Sequence, residues 1–214
     1  MSFGVGRSDD AHDVARLEAA SQDPSVVARW VAGVFTPANV VLAVMAYVAV
    51  RHSDSVVEAA LWWAVTLLLV VALPYAILFR AMRGGRVDDR QVVRRSQRPW
   101  LYVMALACVA AALALLVLAG APLQVVALVV AMGAGLAAML LATLVAKASM
   151  HLAVAAGAVA VVVVEQPLVG AVLSLVLVPI AWARHRDGRH SVGQLVAGAL
   201  IGGVTAFVVY ALLT

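Results

Sequence analysis

Residues 122–164 read PLQVVALVVAMGAGLAAMLLATLVAKASMHLAVAAGAVAVVVV and carry one charged side chain, Lys147. A helix on the surface of a soluble protein keeps a polar face, whereas one bathed in hydrocarbon is apolar all round. A spanning helix takes about 20 residues, so the stretch divides at Lys147 into two segments, 122–146 and 148–164. Working outward gives 27–50, 56–80 and 99–119 before it, and 168–183 and 191–213 after it. The expected fold is an all-α integral membrane protein, a bundle of six to seven transmembrane helices. The segments 148–164 and 168–183 are short and joined by Glu165-Gln166-Pro167; they form two spans or a tight pair that stops short of one face. Gly120-Ala121-Pro122 is a second tight connection and makes 99–146 a hairpin. Gly198-x-x-x-Gly202 suits close helix packing, although glycine is also simply common in membrane helices.

Composition agrees. The chain of 214 residues is 65% hydrophobic and 12% charged, with a mean hydropathy of +1.04. A soluble domain has no way to cover that much apolar surface. The single cysteine, Cys108, cannot form an internal disulfide and reads as a small core residue. Residues 1–24 are polar, with Ser8 placed to cap a short amphipathic helix that ends at Asp23-Pro24. They lack the apolar stretch of a signal peptide, so no cleavage is expected. Residues 25–214 read as one membrane domain.

The charge is unevenly distributed. With seven spans, the N-terminus, the 81–98 loop, the region of Lys147 and the 184–190 loop share one face. That face then holds every lysine and arginine except Arg51. The positive-inside rule assigns it to the cytoplasm of a cell membrane. The net charge of +4 and pI near 9.8 therefore point to anionic lipid rather than nucleic acid.

Three clusters converge on that face. In the first, Arg90, Arg94 and Arg98-Pro99 lead into a membrane helix, with the arginines four apart on one helical stripe. The second is Lys147-Ala-Ser149-Met-His151. The third runs from Arg184 to His190 and Gln194, with His190 and Gln194 one turn apart. Guanidinium and ammonium groups neutralise phosphoryl oxygens. One imidazole can attack phosphorus and another can protonate the leaving alkoxide, while a side chain one turn from the nucleophile can hold its second ring nitrogen. No metal or other cofactor is required, and no carboxylate cluster accompanies the histidines. His12, His52 and His185 read as interfacial residues with satisfied hydrogen bonds. The remaining loop arginines read as topology signals and headgroup contacts. Asp88-Asp89 lacks the second acidic cluster a metal-diphosphate site would need. Asp187-Gly188 reads as a turn, and Asn39 needs no special role.

These clusters resemble the motifs of the type-2 phosphatidic acid phosphatase superfamily, which includes lipid phosphate phosphatases, isoprenyl-diphosphate phosphatases and vanadium haloperoxidases. Arg184-x5-His190 matches the third motif, Ser149-x-His151 the core of the second and Arg98-Pro99 the end of the first, over about residues 90–213. The resemblance implies that His190 is the nucleophile and His151 the general acid, and that Arg184, Arg98 and the Ser149 region hold phosphate. Lys147, Arg90 and Arg94 would add charge. Gln194 stands where the family has aspartate, Ala148 and Met150 where it has proline and glycine, and Gln91 where it has lysine. The family's sites face away from the cytoplasm, which opposes the charge count.

The leading expectation is a metal-independent membrane phosphatase acting on a lipid phosphate or isoprenyl (di)phosphate through a phosphohistidine. A lipid-phosphate-binding protein with weak or no turnover and a lipid-phosphate carrier are the other two classes.

Overall fold

The computed structural model describes residues 25–83, 98–188 and 190–214, with the backbone alone at Arg98 and Pro99. The segment 1–24 with its expected cap at Ser8, the loop carrying Arg90 and Arg94, and Arg189 lie outside the described residues.

Every regular element described is helical. Helix α1 (Val26–Val34) starts at Ser25, whose Oγ accepts the Ala28 N–H at 3.3 Å. Helix α2 (Pro37–His52) starts at Thr36, whose Oγ1 accepts the Asn39 N–H at 3.2 Å. The single segment expected over 27–50 is therefore a pair, bent by 43°. Pro37 has no N–H for the carbonyl four residues back, Gly33, and the helix opens there. The Asn39 side chain supplies the missing donor, reaching Gly33 O at 3.4 Å and Val34 O at 2.9 Å. Asn39 thus has a structural role that its position near a segment end did not suggest.

Helix α3 (Val56–Val65) passes through a π-helical stretch, Thr66–Ala72, into α4 (Leu73–Arg83). In the stretch the donor lies five residues on, as where Leu73 N–H meets Leu68 O, and this wider pattern accommodates the absent donor of Pro74. Then come α5 (Arg98–Leu118), α6 (Leu123–Val145), α7 (Met150–Glu165) and α8 (Pro167–Leu173). A 3-10 turn (Ser174–Val176) joins α8 to α9 (Leu177–Arg186), and α10 (Val192–Leu213) closes the chain.

Five helical stretches among the described residues are long and apolar enough to cross a membrane, and six if the bent α1–α2 pair counts as one. Helix α7 has 16 residues, about 24 Å, against a hydrocarbon core of about 30 Å. The upper count of seven spans is thus not met by length. Even so, α7 shares both its ends with α10. At one end Ser149 N–H donates to Gln194 O at 3.0 Å; at the other Tyr210 Oη donates to Glu165 Oε1 at 2.6 Å. The two helices run parallel and in register between those bonds.

Their seam is made of small residues. A Cβ added at Gly198 would land on the backbone of Ser149, and one at Gly202 on the backbone of Ala153. The Gly198-x-x-x-Gly202 spacing therefore serves backbone-to-backbone approach between α7 and α10. The interior is built from Met45, Val48, Ala112, Val125 and Val129, all buried, and Cys108 lies within it as expected. Large apolar side chains such as Leu118, Val145 and Leu168 stand exposed on the outside. Apolar outside as well as inside is the pattern of a chain solvated by lipid.

Candidate active site

The second and third clusters, and the helix that follows the first, meet through packing at one end of the bundle. Tyr102, one turn into α5 after Arg98, is buried with Met139, Ala148 and Ala153, and Ala197 and Ile201 of α10 pack on the same group. Ala81 near the end of α4 packs on Leu101. Ile180 of α9 is buried with Leu152 and Leu195, and Ala183 with Ala28 and Val31 of α1. The starts of α5, α7 and α10 and the ends of α4, α6 and α9 therefore lie at the same end. The backbone of Arg98 opens α5 there. The side chains of Arg98, Arg90 and Arg94 lie outside the described residues.

The tie between the second and third clusters is direct. The Ser149–Gln194 backbone bond holds the start of α7 against the first turn of α10. His151 follows Ser149 within α7's first turn, and Gln194 is the third residue of α10. Lys147 and His151 are both partly buried.

The local chemistry of α10's N-terminus orients His190. Ser191 caps the helix: its Oγ accepts the Gln194 N–H at 3.4 Å, and its own N–H donates to Gln194 Oε1 at 3.2 Å. This is a capping box, Ser-x-x-Gln, in which two otherwise orphaned donors are satisfied reciprocally. A backbone N–H can only donate, so the Gln194 atom facing Ser191 must be the amide oxygen. The same oxygen lies 3.3 Å from His190 Nδ1. An oxygen there requires Nδ1 to carry the proton, which leaves the lone pair of the neutral ring on Nε2. The contact expected one turn apart is present, and it selects a tautomer without a carboxylate.

Arg184 is buried at 2% exposure near the end of α9, and its Nη1 donates to Asp187 Oδ2 at 3.1 Å. Burial of a guanidinium is tolerated where a carboxylate and hydrogen bonds offset its lost hydration. Asp187 does sit in a turn, with Gly188 at φ +67°, but its carboxylate is also the partner of Arg184. His185 is exposed, and its Nδ1 lies 3.2 Å from the His190 carbonyl; that ring nitrogen must be the donor, bracing the backbone at His190. Ser149 is fully buried, and its Oγ has no hydrogen-bond partner among the described residues.

Sequence reasoning named His190, Gln194, Ser149 and Arg184 but missed three supporting residues. Ser191 was readable, because Ser-x-x-Gln before an apolar run is a capping-box signature. Asp187 sits three residues after Arg184, within helical reach. His185 left no such signal, since its contact depends on how the turn folds back. Among the described residues, no three His, Cys, Asp or Glu side chains form a group able to hold a metal ion.

Comparison with protein-family models, with curated proteins and with solved structures finds no match to this chain.

Proposed function

We propose that this protein is a membrane phosphatase for a lipid phosphate or isoprenyl (di)phosphate, with His190 as nucleophile and His151 as general acid. The observation that supports it most is the shared acceptor at Gln194 Oε1. By taking Nδ1–H, it aims the Nε2 lone pair as a nucleophile needs. Nε2 attacks phosphorus, the ester P–O bond breaks, and protonated His151 gives its proton to the departing alkoxide. Water then attacks the phosphohistidine, neutral His151 takes a proton from it, and the P–N bond breaks to release phosphate. Arg184, Lys147 and the arginines 90, 94 and 98 neutralise the transferring phosphoryl group, and Ser149 donates a hydrogen bond to it. Its charge lies mainly on the three equatorial oxygens, so cationic side chains around it suit it. The basic end faces the cytoplasm in this reading, and the substrate is drawn from that leaflet.

The test is inorganic phosphate release by the purified protein in EDTA, with phosphatidate, phosphatidylglycerol phosphate and polyprenyl mono- and diphosphates, against His190→Ala. Release that disappears in the variant supports the mechanism. Absence of release from a folded protein that binds these lipids sinks it.

The amide at position 194 favours one second reading, a lipid-phosphate-binding protein or carrier with little turnover. An amide oxygen accepts a hydrogen bond but does not stabilise an imidazolium by charge. Binding without phosphate release, restored to release by Gln194→Asp, would select it.

A further inference from the structure

A partly open cavity of about 220 Å³ lies between the helices, walled by α2, the π-helical stretch with α4, α5, α6, α7 and α10. Its lining is aliphatic or thioether throughout except for Tyr75. Along α7 it extends from Met150, the neighbour of His151, to Val161, and along α10 to Ala206. At its near end Met139 and Ala153 belong to the packing group that brings Tyr102 and Ala148 to the candidate site. The apolar chamber therefore ends at Met150, next in sequence to His151, against the packing group at the end of the bundle that carries the histidines.

A polar cluster lies one helical turn beyond its far end. One turn beyond Val161 and Ala206 stand Glu165 and Tyr210, joined at 2.6 Å. From α2, His52 Nε2 lies 2.9 Å and Arg51 Nε 3.4 Å from Glu165 Oε2. This cluster ties the ends of α2, α7 and α10 together. A hydrocarbon chain running down the chamber would meet charged and hydrogen-bonded groups there, whose desolvation it cannot offset.

We infer that the chamber holds the hydrocarbon chain of a single-chain phosphate ester whose phosphate sits at His190, and that the Glu165–Tyr210–His52–Arg51 cluster beyond its far end limits chain length. This rests on the lipid-phosphate reading and narrows it to one substrate class. A cavity with an apolar lining accepts apolar groups. At about 30 Å³ for each water-sized group, 220 Å³ takes roughly seven methylenes, enough for part of one chain and too little for two.

Gly135 lines the chamber, and a Cβ there meets nothing within 4 Å. A Cβ is thus accommodated there, and Gly135→Leu adds bulk to the chamber's lining. The readouts are the dodecyl-to-butyl phosphate ratio of kcat/KM, and the site labelled by dodecyl phosphate carrying a diazirine at its terminal carbon. The four carbons of leucine displace about as many methylenes of the substrate, so the ratio falls on the order of a hundredfold in the variant. Label on Val161, Ala206 or Met132 in the native protein, lost in Gly135→Leu, supports the assignment. Should that variant not fold, Ala105→Leu tests the chamber from α5.

Hydrolysis with an unchanged ratio, and label confined to outward residues such as Leu200 and Phe207, overturns the chamber and leaves the phosphatase. Chamber labelling without hydrolysis of either ester supports the chamber and overturns the phosphatase. A two-chain phosphatidate hydrolysed as well as dodecyl phosphate, with its chains labelling the chamber equally, overturns the single-chain assignment.

Discussion

Replacing Gln194 by glutamate changes an amide to a carboxylate at constant length, and the geometry around it gives the expected size of the effect. In a serine-protease triad, exchange of the carboxylate for an amide costs about 10⁴ in kcat, because the amide allows the wrong histidine tautomer. That loss does not transfer here. Ser191 N–H, at 3.2 Å from Gln194 Oε1, already requires oxygen at the position facing His190 Nδ1, so the tautomer is correct with the amide in place. What the amide lacks is charge. A net hydrogen bond contributes about 0.5–1.5 kcal/mol between neutral groups and about 1.5–3 with a charged partner. The difference is about 1.5 kcal/mol, so Gln194→Glu should raise the rate of phosphohistidine formation roughly tenfold. Gln194→Leu removes the acceptor altogether; the ring loses its orientation, and the loss should approach 10³–10⁴. The assay is single-turnover phosphate release with acid-quench trapping of the phosphohistidine, alongside circular dichroism to show that the helices persist. A Gln194→Leu protein that traps phosphohistidine at the native rate would refute the orientation argument.

Further outcomes follow from the same geometry. Ser149→Ala should leave the melting temperature within a degree or two, since its buried Oγ has no partner among the described residues, while raising KM for the phosphate ester in steady-state assays. Gly202→Val should lower thermal stability by at least about 1–3 kcal/mol, because its Cβ would strike the Ala153 backbone; a detergent melt in which it matches the native protein would contradict the seam. Burial alone would raise the Glu165 carboxyl, but hydrogen bonds from Tyr210 and His52 and the charges of His52 and Arg51 outweigh it, holding the group below its ordinary range. Stability linked to it is complete above about pH 4.3 and falls as pH drops through the lower folded value, so Glu165→Gln should flatten the acid limb of a melting-temperature profile. Vanadate should inhibit phosphate release and EDTA should not, and the reverse pattern would overturn metal-independent transfer.

Much of the fold was legible because lipid imposes one simple rule on every segment, a long run without charges. The boundaries at 99–119, 122–146 and 191–213 needed nothing more. The rule is blind to breaks that keep the segment apolar. Thr36-Pro37 bends the first segment although hydropathy runs through it, and the local signal, a proline with a hydroxyl before it and Asn39 after it, was present. The π-helical stretch before Pro74 is harder to read, since hydrogen-bond register leaves no trace in apolar periodicity. The candidate site was legible where its contacts are local, as between His190 and Gln194. Arg51, His52, Glu165 and Tyr210 meet only because three helices end together, and separations of that length in sequence carry no periodic signal.

The position that departs most from the resembled motif is also the one that joins two motifs. Gln194 accepts Ser149 N–H through its backbone carbonyl and faces His190 through its side chain, while that same side chain completes the cap on Ser191. Helix α7 can reach that carbonyl only because Gly198, one turn later, presents no Cβ to Ser149. Separation of α7 and α10 by even a methyl group would pull the start of α7 away from the residue that orients His190. The seam of small residues and the histidine tautomer are thus mechanically linked. For that reason Gly198→Ala should impair phosphate release out of proportion to its effect on stability. Combined with Gln194→Leu it should add little further loss of rate, because both changes disable the same arrangement.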